Sequence, residues 1–188
     1  HVLGTAVLSV LSGHQRYAHI SALRGDSINP PLLGMSEVVS EDSVRRNLAR
    51  IDEALPGLEI WHQTGKRELE RVREGYAAAG LEAPRVRVVS FIEDMSEPYA
   101  WCDLVLCRAG APSLAELAAV GCPALLVPFP HATDDHQTHN AAALVEVGAA
   151  RVLAQRELDS ARLVAELSGL LGDSAGLERM GAAMRSAA

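Results

Sequence analysis

The fold class is predicted most directly by the run Asp103-Leu104-Val105-Leu106-Cys107-Arg108-Ala109-Gly110-Ala111-Pro112-Ser113-Leu114-Ala115-Glu116. Its apolar first part predicts a short buried strand. Gly110 indicates a tight turn, and Pro112 suits the first position of a helix, where a missing N–H costs nothing. The stretch therefore predicts a strand, a turn and a helix start, which is the repeating unit of parallel α/β proteins.

The same alternation continues on both sides of this stretch. Short β-branched or leucine-rich runs predict strands near 58–63, 86–90, 103–107, 124–128 and 150–153. Longer runs, several of them stopped by glycine, predict helices at 43–55, 66–79, 112–120, 137–147, 156–171 and 174–185. We therefore expect an α/β fold with a Rossmann-like parallel sheet and flanking helices, which binds ligands beyond the carboxyl ends of its strands.

Size and charge limit the classes of protein that fit this sequence. The 188 residues, 48% of them hydrophobic, suit one domain with a well-buried core. The formal net charge of -7 disfavours a nucleic-acid partner, because a protein that binds a phosphate backbone needs a basic face. The three cysteines match neither a zinc site nor a disulfide framework, so we interpret them as reduced core thiols of a cytoplasmic protein.

The first part of the chain follows no clear pattern. The apolar run 2–11 is too short, and too broken by Gly4, Thr5 and Ser9, to span a bilayer. Residues 12–31 show no periodicity, so we leave 1–31 unassigned and place one α/β domain at 32–188. The chain begins with His1 rather than methionine, which predicts that it is a piece of a longer protein.

The predicted helix start after Gly110 suits a phosphate group. The amides of Ala111, Ser113 and Leu114 are expected to be free, with the positive end of the helix dipole behind them, so a pyrophosphate fits there. Glu116 lies one turn further on, where its carboxylate is able to accept hydrogen bonds from the diol of a ribose. The alternative is an ordinary glycine turn before a helix, with a glutamate that merely complements the dipole.

Two further polar loops follow predicted strands. In the loop 127–140, the histidine and aspartate spacing matches no zinc signature, so we expect no metal and no cofactor. We interpret Asp134 and Asp135 as caps of the next helix and Gln137 as a sugar contact. The loop 91–95 is able to present backbone groups to a base, although an acidic loop before a helix is most often an ordinary cap.

Four segments carry the resemblance of this chain to a known family: the runs 61–66 and 127–140, the loop 91–95 and the turn that ends at Glu116. In this order they resemble the carboxyl-terminal domain of the peptidoglycan N-acetylglucosaminyltransferases, which have the two-domain GT-B architecture. The resemblance, strong over 58–154, implies that Ile92 holds uracil through its main chain, that Glu116 holds the ribose and that Gln137 contacts the sugar. It also implies a phosphate site lined by Ala111, Pro112, Ser113, Leu114 and Ala115.

The chain departs from the family near its start. The family has a loop Gly-Gly-Ser-x-Gly after the first strand of this domain. Gly34 and Ser36 fall close to its expected place, counted back from His62, which makes Ser36 a candidate substrate-binding residue. Glu37, however, puts an anion where a phosphate should approach. Residues before Pro31 do not match the family's amino-terminal acceptor domain.

The resemblance implies an inverting transfer of N-acetylglucosamine from UDP-GlcNAc to an undecaprenyl-linked muramoyl-pentapeptide acceptor. This reaction belongs to peptidoglycan synthesis at the cytoplasmic face of the bacterial cell membrane, where the family is peripheral. The chain would be the donor-binding half, inactive alone because the acceptor domain is missing. The catalytic residue stays unknown, since His62 and His131 are each more typical of a structural histidine at a strand end.

Two other classes of function stay open at this point. One is a UDP-sugar-binding subunit that pairs with a separate membrane subunit, as in the eukaryotic two-subunit enzyme that adds N-acetylglucosamine to a dolichol-linked acceptor. The other is a UDP-sugar epimerase, which needs acid and base carboxylates such as Glu93, Asp94, Asp134 and Asp135. A dehydrogenase is disfavoured, because no Gly-x-Gly-x-x-Gly follows a strand.

Overall fold

The computed structural model describes residues 5–9, 57–81, 83–130 and 135–188, with 5–9 described by their backbone. Within these residues one parallel sheet contains β1 (Thr5–Ser9), β2 (Glu59–Gln63), β3 (Val86–Val89), β4 (Leu104–Cys107), β5 (Ala124–Leu126) and β6 (Ala150–Val152). The helices are α1 (Leu69–Ala78), α2 (Ser96–Trp101), α3 (Ala111–Val120), α4 (His136–Glu146), a 3-10 turn (Gln155–Glu157), α5 (Ser160–Leu171) and α6 (Ser174–Ser186).

The order of the strands locates the point where a ligand is expected. The sheet runs β3-β2-β1-β4-β5-β6, and every neighbouring pair is parallel. Val7 pairs with Trp61 on one side and with Val105 on the other. The chain therefore reverses its direction of travel across the sheet between β1 and β4, and in such sheets the ligand crevice opens at the carboxyl ends of these strands.

The five strands predicted from the sequence are confirmed, each to within two residues at its ends. The sequence analysis did not assign β1, which lies in the middle of the sheet. This strand is five residues long and follows a glycine, so its own pattern is weak. The strand forms because it pairs with β2 and β4, which are distant from it in sequence.

Two predicted helices differ from the structure. The helix expected at 66–79 begins three residues later, because residues 66–68 form a turn before Leu69. The helix expected at 156–171 is divided into a 3-10 turn and α5. Between them Asp159 is extended, and its carboxylate accepts a hydrogen bond from the Arg162 N–H at 2.8 Å, which starts a new helix. The helix predicted at 43–55 lies outside the described residues.

Both faces of the sheet are buried. Ile60 and Leu104 belong to one apolar cluster, whereas their chain neighbours Trp61 and Val105 belong to a second. Successive side chains of a strand point to opposite faces, so the two clusters cover the two sides of the sheet. Of the predicted core thiols, Cys107 and Cys122 are buried, whereas Cys102 is partly exposed.

Candidate functional site

Helix α3 is joined to the end of β4 by three residues, at the point where the sheet reverses, and its N-cap residue Gly110 has no side chain to cap the first turn. The first backbone bond of the helix joins the Leu114 N–H to the Gly110 carbonyl at 3.1 Å. The Ala111 and Ser113 amides precede this bond and have no partner within the helix. The prediction that the Leu114 amide is free was wrong. The helix starts at Ala111, one residue earlier than expected, which puts Pro112 at its second position.

Gly110 has a different role from the one predicted. Its backbone angles, φ -74° and ψ 136°, are accessible to every residue, so the turn does not require glycine. A Cβ at this position would have no atom of the described residues within 4 Å. Within the described part of the chain, the space beside the first turn of α3 is therefore open, and a ligand is able to approach the backbone closely there.

Glu116 lies on the exposed side of α3, one turn after the open end. Its Oε2 accepts a hydrogen bond from the Tyr99 hydroxyl at 2.9 Å. Burial, together with the hydrogen bond and the negative charge of Glu116, raises the pKa of Tyr99 above its ordinary value, which keeps the phenol a donor. Among the described residues no second hydrogen bond to this carboxylate is found, and its Oε1 has the lone pairs to accept from a ligand.

The loop after β3 contains Ile92, whose side chain is buried. The Ile92 N–H donates to Gln63 Oε1 at 2.8 Å, so a side chain from the end of β2 already occupies this amide. The predicted main-chain contact to a base stays a prediction. If the bond to Gln63 stays intact when a base binds, the main-chain group of Ile92 that remains for the base is the carbonyl.

The first turn of α4 contains Gln137, which is half-buried. Its Oε1 accepts from the Phe129 N–H at 2.9 Å, and this fixes the side-chain amide with its Nε2 hydrogens as the remaining donors. Asp135 occupies the N-cap position, but the prediction that it caps the helix was wrong. Its backbone is left-handed at φ 53°, and its carboxylate accepts instead from the Thr138 hydroxyl at 2.6 Å.

Two side chains that the sequence analysis missed join these loops. The Arg108 Nη1 donates to the carbonyls of Val127 at 3.0 Å and Pro128 at 3.2 Å, and its guanidinium lies 5.5 Å from the Phe129 ring centre. The Asn140 Nδ2 donates to the Ala109 carbonyl at 3.2 Å. The loops after β4 and β5 are thus held to each other and to α4. A polar residue at a strand end was the available signal for Arg108.

Three of the groups that the sequence analysis named as candidates for chemistry, His62, Asp94 and Asp135, make local hydrogen bonds, whereas Glu93 is exposed. His62 Nδ1 lies 3.0 Å from the Tyr76 hydroxyl, and burial lowers the pKa of His62 to about 4, which favours a neutral structural histidine. Asp94 accepts from the Ser96 N–H at 2.8 Å, and its hydrogen bonds to Ser96 lower its pKa. Ser36, His131 and Asp134 lie outside the described residues.

The described part of the chain lacks two features that would have suggested other functions. No group of three or more histidine, cysteine, aspartate or glutamate side chains in that part is arranged to hold a metal ion. Among the same residues, no helix is long and apolar enough to cross a membrane.

Comparisons with known proteins agree on one kind of domain. The model of the glycosyltransferase family 28 C-terminal domain matches residues 35–188. Over 145 residues the chain is 51% identical to the UDP-N-acetylglucosamine–N-acetylmuramyl-(pentapeptide) pyrophosphoryl-undecaprenol N-acetylglucosamine transferase of Nitratidesulfovibrio vulgaris. This match covers 77% of the chain and 39% of that protein, so the chain spans about two-fifths of its relative.

Two solved structures are similar over nearly the whole chain. MurG of Acinetobacter baumannii is 31% identical with a TM-score of 0.67, and the match covers 100% of this chain and 48% of that one. The structure of a protein described as a putative UDP-N-acetylglucosamine 2-epimerase from Listeria monocytogenes gives a TM-score of 0.61, and the match covers 96% of this chain and 39% of that one. At 12% identity, the second likeness concerns the fold alone.

Proposed function

The chain belongs to the glycosyltransferase family 28 C-terminal domain family, and from this premise we propose that it binds UDP-GlcNAc as the donor-binding half of a GT-B enzyme. The observation that carries the proposal is the open first turn of α3 at the reversal point of the sheet, with Glu116 one turn behind it. Such a helix end provides free amides and a positive dipole for a pyrophosphate, and the carboxylate suits the adjoining ribose.

The other donor contacts come from the neighbouring loops. The Ile92 backbone is assigned to uracil, the first turn of α3 (Ala111 to Ala115) to the two phosphates and the Gln137 amide to the sugar. Ser36 is a further candidate for the phosphates from its place counted back from His62, but it lies 27 residues after the end of β1, the first described strand of this sheet. The bonds that hold Ile92 and Gln137 in place support these assignments, because a fixed donor or acceptor loses little freedom when the ligand binds.

The reaction proposed for the whole protein is inverting transfer of N-acetylglucosamine to the lipid-linked muramoyl-pentapeptide, at the cytoplasmic face of the membrane. The name of the Nitratidesulfovibrio relative supports both substrates. In this reaction the amides at α3 would stabilise the negative charge that develops on the departing UDP. The acceptor and the catalytic base would come from an amino-terminal domain, so we expect the chain alone to transfer no sugar.

Titration calorimetry with UDP and the full 188-residue chain tests the donor site. We expect binding in the wild-type chain and a loss of about 2 kcal/mol of binding free energy in Glu116→Ala, because a charged hydrogen-bond acceptor is removed. Glu178→Ala, which removes an exposed glutamate from α6, is the matched control and should bind UDP like the wild type. Equal affinities in all three chains would exclude Glu116 from the ribose site, and an absence of UDP binding would refute the proposal.

A turnover assay tests the division of labour. The chain, UDP-GlcNAc and lipid acceptor are combined with and without a separately produced amino-terminal domain of a MurG protein. Transfer should require the added domain. Robust transfer by the chain alone would contradict the half-enzyme proposal, and release of free sugar from UDP-GlcNAc would favour the epimerase alternative.

A further inference from the structure

The helix that contains Tyr99 is fixed to the sheet independently of Glu116. Within α2, Trp101 packs edge-on against Trp61 of β2, with ring centres 5.8 Å apart, and Trp61 is buried. The guanidinium of Arg87 on β3 lies over both rings, at 5.1 and 5.7 Å. The position of α2 is therefore set by packing on the sheet, and side chains on this helix provide fixed reference points at the site.

Tyr99 extends from this fixed helix to the surface. Its ring is half-buried and packs against the apolar cluster that includes Ile92 and Leu114. Its hydroxyl reaches Glu116, 17 residues further along the chain, at 2.9 Å. The raised pKa of Tyr99 leaves the proton on the phenol, so the hydroxyl donates and the carboxylate accepts. The bond thus joins a half-buried side chain, fixed by its packing, to an exposed side chain on a different helix.

We infer that Tyr99 is a positioning residue for recognition of the ribose diol of a uridine nucleotide, acting through Glu116. This inference rests on the proposed function. An exposed glutamate without a partner samples many rotamers, and a ligand that needs one of them must bear the cost of ordering it. The Tyr99 hydroxyl orders the carboxylate beforehand by holding Oε2, and it leaves Oε1 to accept from the diol.

The test compares UDP with 2′-deoxy-UDP, which lacks one ribose hydroxyl, by calorimetry on the full chain. The wild type should prefer UDP by about tenfold or more, because the deoxy nucleotide forfeits a charge-assisted hydrogen bond. In Tyr99→Phe the affinity for UDP should fall by about threefold to tenfold. The affinity for 2′-deoxy-UDP should fall less, so the preference for UDP becomes smaller. In a Glu116→Ala background, Tyr99→Phe should cause no further loss.

Tyr76→Phe is the matched control, since it removes a buried hydroxyl that bonds to His62 rather than to Glu116. This variant should keep the full preference for UDP. If Tyr99→Phe weakens both nucleotides equally, or neither, the positioning role is overturned while the donor site stands. If the wild-type chain binds both nucleotides equally, the ribose roles of Glu116 and Tyr99 both fall. If it binds no UDP, the proposed function fails and the inference fails with it.

Discussion

The two ends of helix α3 differ in what surrounds them. At the first turn, Gly110 has an ordinary backbone conformation, and a Cβ would meet nothing within 4 Å among the described residues. At the last turn, Gly121 is left-handed at φ 71°, and a Cβ would collide with the side chain of Arg185 on α6. A Cβ on Gly181, also on α6, would lie 2.8 Å from the Gly121 carbonyl oxygen.

This difference separates two reasons for a glycine. At the closed end the backbone angle and the packing of α6 require it, so its effect concerns folding. At the open end neither the backbone angle nor packing within the described residues requires glycine. A side chain at Gly110 would therefore contact only a ligand or residues beyond the described ones. We therefore expect substitutions at the last turn of α3 to affect stability, and substitutions at the first turn to affect the proposed ligand binding.

The largest effect is expected from acid, which should destabilise the whole domain and so affect both ends of α3 together. Burial lowers the pKa of His62 from 6.5 to about 4, so the unfolded chain binds more protons than the folded one between these two values. Stability should fall as the pH falls through this window, by about 3 kcal/mol in total from this group. Urea unfolding at several pH values, followed by tryptophan fluorescence, measures it. In His62→Gln the fall should be clearly smaller, and identical pH profiles would contradict the account.

Substitution at the closed end should affect stability without affecting the ligand. In Gly181→Ala the new methyl group meets backbone that cannot move independently, so we expect a loss of about 1–3 kcal/mol in the free energy of unfolding. Gly169→Ala on α5 is the matched control, because a Cβ there meets nothing within 4 Å among the described residues, and it should be neutral or slightly stabilising. A large drop in the UDP affinity of the folded Gly181→Ala variant would contradict the expectation that this end of α3 affects stability and not ligand binding.

Substitution at the open end should do the reverse. Gly110→Ala should leave the free energy of unfolding within about 0.5 kcal/mol of the wild type, since neither the backbone angle nor packing opposes it. A methyl group beside the first turn should keep a pyrophosphate from close approach and weaken UDP binding by about tenfold. Gly75→Ala on α1, where a Cβ is equally unopposed, should leave UDP affinity unchanged and raise the free energy of unfolding by about 0.5–1 kcal/mol, because alanine favours the helix more than glycine does. Unaltered UDP affinity in Gly110→Ala would show that the phosphates lie elsewhere.

Removal of divalent metal should have the smallest effect of all. If the amides and dipole of α3 are what hold the pyrophosphate, UDP affinity should stay within roughly twofold when a chelator is added. Calorimetry with and without the chelator measures this. If the chelator abolished UDP binding and magnesium or manganese restored it, a metal ion rather than the first turn of α3 would hold the pyrophosphate.

From the sequence, the helices and strands around this site could be predicted better than the hydrogen bonds and strand pairings between them. The strands, the start of α3 to within one residue and the place of Glu116 one turn into that helix follow from local patterns, because apolar runs and glycine stops act over a few residues. The bonds from Arg108, Asn140 and Tyr99 join residues 17 to 31 positions apart, and no local pattern predicts which partner each one finds. The same holds for β1, whose place depends on pairing with β2 and β4.

The central place of β1 affects how the chain folds as it is made. Ala6 pairs with Ile60 of β2 on one side and with Leu104 of β4 on the other. Because β1 precedes both partners in the chain, its edge toward β4 stays unpaired until β4 has been synthesised. Pairings so distant in sequence are slow to form, and an unfilled strand edge attracts other chains. We therefore expect insertion of β1 to limit the rate of folding, and chains that associate before this insertion to account for most of the material lost during production.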